Sequence, residues 1–75
     1  MYNSFITSRI EFLANQISKA VGVEITLDYT KDKDIMIDHE GGINNKVMEF
    51  FKSCKVIDID FDEKLNWTFY TFSYK

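Results

Sequence analysis

The stretch that decides the fold is Val56-Ile57-Asp58-Ile59-Asp60-Phe61-Asp62-Glu63. Apolar Ile57, Ile59 and Phe61 alternate with the carboxylates of Asp58, Asp60 and Asp62. A repeat of two residues is the β-strand period, so the segment reads as a strand with one apolar side and one side of like charge. Trp67 to Tyr74 reads as the next strand, joined to it through Glu63-Lys64-Leu65-Asn66. A loop of two or of four residues gives the same pairing: Asp62 opposite Trp67, Asp60 opposite Phe69, Asp58 opposite Thr71. The core layer is then Phe61 with Thr68, Ile59 with Tyr70 and Ile57 with Phe72, while Trp67 and Phe69 stand outside among the carboxylates. A three-residue loop with a bulge would reverse that assignment.

Upstream, Val23, Ile25, Leu27 and Tyr29 alternate with Glu24, Thr26 and Asp28, and the β-branched content supports a strand. Lys31-Asp32-Lys33 is a polar turn, and Asp34 to Asp38 is the returning strand with Ile35 and Ile37 inward. For these to share a face with Leu27 the loop must hold an odd number of residues, about three or five. The outer face gathers Glu24, Asp28, Asp34, Met36 and Asp38.

Ahead of this hairpin, Ser4 to Val21 carries Ile6, Ile10, Leu13, Ile17 and Ala20 at helical spacing, with Phe5 and Phe12 widening the stripe. Asn3 or Ser4 can cap its start, and Gly22 stands where a left-handed C-terminal cap belongs. Gly41-Gly42 breaks the strand pattern, and a second helix from Asn45 to Ser53 follows, capped by Asn44, with Val47, Phe50, Phe51 and Cys54 on its apolar line. The expected fold is a single α+β domain over residues 1–75, in the order helix-strand-strand-helix-strand-strand. Its four-stranded, mostly antiparallel sheet would carry both helices on one face and leave the other open to water.

At 75 residues, core burial is marginal, so an apolar side chain left outside asks for an explanation. With 45% hydrophobic residues the chain can nevertheless build a core and is not disordered. The lone Cys54 allows no internal disulfide and fits a reducing compartment, with the cytoplasm as the expected location. A net charge of −3 argues against direct binding of nucleic acid or an anionic membrane. No run spans a bilayer, and the N-terminus has no signal-peptide pattern.

Chemical motifs are absent from this reading. Asp58-x-Asp60-x-Asp62 imitates the first ligands of an EF-hand loop, but Glu63 stands where glycine is required and Phe69 where the bidentate glutamate belongs. Strand alternation explains the spacing, so no metal is expected. His39 has no histidine or cysteine partner at ligand spacing and reads as a loop residue. Cys54, on an apolar helix face, reads as a buried hydrophobe. Gly41-Gly42 lacks the sequence of a phosphate loop. The acidic strand offers no pocket that would split two carboxylate pKa values, so neither cofactor nor enzymatic activity is expected.

What remains is a surface. Glu24, Asp28, Asp34, Asp38, Asp58, Asp60 and Asp62 all point out of the sheet, and no lysine or arginine lies within a strand as assigned. Like charges opposite one another cost a few tenths to about 1 kcal/mol per pair. Aspartates on a solvent face can simply keep a sheet soluble. Here they surround Trp67, Phe69 and Met36, and aromatic anchors ringed by polar groups are how interface centres are built. The candidate partner-binding set is therefore Asp58, Asp60, Asp62, Trp67, Phe69, Asp28, Asp34, Met36, Asp38 and Glu24, facing a basic protein surface.

The chain, with no proline and abundant Asn, Lys, Ile and Phe, resembles the small acidic inhibitors of bacteriophages and mobile elements, of the anti-CRISPR and anti-restriction kind. Bacterial immunity proteins are similar in character. The resemblance covers composition and the helix-plus-sheet plan and rests on no motif, so it transfers no residue roles. It implies a protein that occupies the basic nucleic-acid channel of a nuclease or CRISPR effector in the host cytoplasm. The alternatives are an immunity or antitoxin protein, and a homodimeric structural or adaptor module joined through a strand edge or the aromatic face.

Overall fold

The computed structural model describes the backbone of residues 2–74 and the side chains of residues 9–74. Its elements are α1 (Tyr2–Val21), β1 (Thr26–Tyr29), β2 (Ile35–Glu40), α2 (Asn45–Phe50), β3 (Lys55–Asp62) and β4 (Trp67–Ser73). This is the expected α+β order. The sheet is antiparallel throughout, with strand order β1-β2-β4-β3. β2 and β3 therefore run parallel on either side of β4, and residues 41–54, carrying α2, make the crossover between them.

Each hairpin turn has a physical cause. In the first, the Thr30 N–H donates to the Asp34 carbonyl at 2.9 Å and Lys33 takes φ 67°, so residues 31–33 form an odd loop and Leu27 pairs with Ile37. In the second, Asp62 Oδ1 accepts from the Lys64 N–H at 3.0 Å and the Leu65 N–H at 3.2 Å, and Asn66 closes the loop at φ 54°. Those four loop residues keep Asp62 opposite Trp67, as expected.

The inner face of β1, β2 and β4 is sealed by the helices. Ile17 and Val21 of α1, Val47 of α2 and Phe51 just beyond it are buried with Leu27, Ile35, Ile37, Tyr70 and Phe72. The Phe51 ring stacks on Phe72 at 4.6 Å between centroids, and Phe72 on Tyr70 at 5.8 Å. Gly22, at φ 78°, ends α1, and its N–H reaches the Ser18 carbonyl at 2.9 Å. Ser18 Oγ then accepts the Ile25 N–H at 3.0 Å, fixing the path from helix to sheet.

One polar relay runs through this core. His39, 1% exposed, donates from Nδ1 to the Glu40 carbonyl at 2.8 Å, because a carbonyl can only accept. Its Nε2 is hydrogen-bonded to the Tyr70 hydroxyl at 2.7 Å, and that hydroxyl accepts the Asn44 N–H at 2.9 Å. Asn44 in turn caps α2, its side chain accepting from the Lys46 N–H at 2.8 Å and the Val47 N–H at 3.3 Å. The start of α2 is thus tied to the middle of the sheet. Burial pushes the Tyr70 phenol above its ordinary 10.0, against the opposing pull of the Asn44 N–H.

Several expectations are corrected. β2 continues through His39 and Glu40, so His39 is a buried strand residue and not a loop residue. β1 begins at Thr26, two positions past Glu24. α1 includes Asn3 and Ser4, which therefore do not cap it; Phe5 and Ile6 fall outside the described side chains. The buried line of α1 is Ile10, Ala14, Ile17 and Val21. At 3.6 residues per turn Phe12 lies roughly 170° from its centre and Ala20 roughly 90°, and both are exposed, as is Leu13. α2 ends at Phe50, which is exposed, and Cys54 is half-buried against the core. Ile57 does not face Phe72: a bulge between Val56 and Asp58 brings Val56 there instead.

Candidate functional site

The antiparallel registers align the outer face in rows across the sheet. One row reads Thr26, Asp38, Phe69, Asp60. A second reads Asp28, Met36, Thr71, Asp58. A third, which β1 does not reach, reads Glu40, Trp67, Asp62. Down the middle of this face runs β4, presenting Trp67, Phe69 and Thr71, and a carboxylate or Met36 flanks each of them. The residues named from sequence on β2, β3 and β4 are thus brought together on one side.

Their side chains do different things. Trp67 is half-buried, and its Nε1–H donates to Asp38 Oδ1 at 3.0 Å, so Asp38 holds the indole against the sheet. Asp62 builds the β3–β4 turn, and Asp28 Oδ1 accepts its neighbour Tyr29 N–H at 2.7 Å. Among the described residues, no hydrogen bond or ion pair occupies the carboxylates of Asp58 and Asp60. These two stand roughly 6.5–7 Å apart, the distance of two strand residues, and are the carboxylates most available to a partner. Phe69 lies between Asp38 and Asp60, 36% exposed, and Met36 is exposed beside Thr71.

Two of the expected residues lie off the strands. Glu24 precedes β1, yet with Val23, Thr26, Glu40 and Trp67 it lines an open cleft of about 600 Å³ at one end of this face. Asp34 sits in the β1–β2 turn, its N–H on Thr30 Oγ1 at 3.0 Å. Charge segregation also needs one correction: Lys55 is the first residue of β3 and lies opposite Ser73, at the far end from Trp67. From Asp58 to Asp62 the outer side of β3 is free of cations.

The reverse side of β3 was not anticipated. Ile57, Ile59 and Phe61 were expected inside the core, yet Ile57 and Phe61 are 49% and 39% exposed and only Ile59 packs against the core; Val56, which the bulge sets opposite Phe72, is 43% exposed. Leu65 and Tyr74, beyond the strand ends, are also exposed. The signal for this lay in the helices: α2 is a six-residue helix, and the buried line of α1 is one side chain wide. The two cover β1, β2 and β4 and leave none to spare.

No protein-family model, curated protein or solved structure matches the chain. Among the described residues, no group of three or more His, Cys, Asp or Glu is placed to hold a metal, and no helix is long and apolar enough to cross a membrane. The outer face presents fixed negative charge at strand spacing, with aromatic surface at its centre.

Proposed function

We propose that this protein is a non-enzymatic binding module that docks its acidic, aromatic-centred sheet face onto a basic surface of a partner protein. The partner class we favour is a nucleic-acid-processing enzyme, of the nuclease or CRISPR-effector kind, inhibited by occupation of its nucleic-acid channel. One observation carries the reading. Trp67, Phe69 and Thr71 form an outward line whose cross-strand neighbours are Glu40, Asp38 and Met36 on one side and Asp62, Asp60 and Asp58 on the other, without an intervening cation. Such a surface associates fast by electrostatic steering, weakens with salt, and is retained by desolvation of its aromatic centre. A second copy is a poor occupant, because it would set acidic face against acidic face.

The test is capture by tagged protein from a host lysate at low and moderate salt, with the native protein and Asp58→Lys/Asp60→Lys side by side. The reading expects a nucleic-acid-binding enzyme that is released by added DNA or RNA, and at least about tenfold weaker retention by the variant, near 1.4 kcal/mol. Equal retention by the charge-reversed protein would sink it.

A further inference from the structure

We infer that the free edge of β3 is a docking site for an extended segment of a partner protein in which lysine or arginine alternates with apolar residues. The inference rests on the acidic-face reading for its charge complementarity and deepens it by assigning the strand edge that a face-on contact leaves unused. β3 is eight residues long, and among the described residues β4 is the only strand beside it. Alternate backbone N–H and C=O groups of β3 therefore point away from the sheet and can pair with another strand.

An added strand lays its side chains on both faces, in step with those of β3. On the outer face it meets Asp58, Asp60 and Asp62; on the inner face it meets Ile59 and Phe61, beside Val56, Ile57 and Leu65. Cations every second residue, roughly 6.5–7 Å apart, answer the carboxylates. Apolar residues between them extend the core layer over the flank the helices leave open. The bulge between Val56 and Asp58 interrupts the edge at one end, so the regular run available is Asp58–Asp62.

A second copy of β3 does not fit this edge. Directly opposed residues share a face, so an antiparallel self-pairing must match even position with even position. Within Asp58–Asp62 every such register sets aspartate against aspartate, Asp58 on Asp60 or Asp60 on itself, and parallel in-register pairing does the same. The carboxylates that repel a copy are those that select a cationic strand.

The probe is a short, end-blocked peptide of alternating lysine and valine, titrated into the isotope-labelled full chain. A peptide of the same composition, with lysines and valines in separate blocks, is the control. The expected result is slowed amide exchange within Asp58–Asp62 and binding about tenfold tighter than the block peptide. Equal binding of both peptides, with shifts at Trp67 and Phe69 and no protection in β3, overturns the edge inference and leaves the acidic face standing. Binding of neither overturns both. Protection of β3 in the free protein at rising concentration overturns the inference in favour of self-pairing.

Discussion

β2 and β3 are written in the same alternating grammar and meet opposite fates. Ile35, Ile37 and His39 of β2 are buried, Ile37 to 1% exposure, while Val56, Ile57 and Phe61 of β3 stay open to water. Both strands flank β4, and both put carboxylates on the outer side. The difference lies in what covers them: β2 is enclosed by β1, β4 and the helices, whereas among the described residues β3 has a strand on one side only. Alternation therefore assigns faces; cover assigns burial. Where a chain this small leaves cover off, the exposed flank is a candidate for binding, because the apolar area would otherwise support the fold.

The contrast can be broken from the β2 side most forcefully. Ile37→Ala is expected to cost about 2–5 kcal/mol in urea unfolding, since it opens a cavity in a sealed layer. Tyr70→Phe is next, at about 1–3 kcal/mol, because it strands the buried His39 Nε2 and the Asn44 N–H together. On the β3 side, Phe61→Ala is expected to cost roughly 1 kcal/mol or less in the free protein, since its ring is only partly covered. If Phe61→Ala proves as damaging as Ile37→Ala, the two flanks are not different in kind.

Asp58→Lys/Asp60→Lys sharpens the contrast further. No intramolecular partner among the described residues holds these carboxylates, so the melting temperature should stay within the range of a change of about 0.5 kcal/mol. The smallest effect is alkaline. The fold holds the Tyr70 phenol above 10.0 by burial and so favours its neutral form. That contribution is fully present below pH 10 and is lost as pH rises through the folded value, and Tyr70→Phe should remove this part of the alkaline decline.

Period-two alternation made the faces legible, and the even loop from Glu63 to Asn66 made the last hairpin register legible, so the outer side of Asp58, Asp60, Trp67 and Phe69 could be read from residues alone. Four things were not read, two of them for want of any local signal. The bulge at Ile57 leaves the alternation of Asp58–Asp62 intact and so has no signature in it. The inward turn of His39 depended on two more strand residues, which Asp38 and Glu40 did announce by continuing the outward phase past Ile37. Phe12 reads as widening the apolar stripe of α1, but its angular position, nearly opposite the line Ile10, Ala14, Ile17 and Val21, places it outside. Strand order, with β4 inserted between β2 and β3, follows from long-range pairing that local patterns do not encode.

The account's central claim is that the carboxylates of Asp58 and Asp60 serve a partner and not the fold. The most direct test measures the affinity of the captured partner for native protein and for Asp58→Lys/Asp60→Lys at matched melting temperature. The account predicts at least about tenfold weaker binding, with the gap narrowing as salt is raised. Equal affinities from an equally stable variant would contradict it.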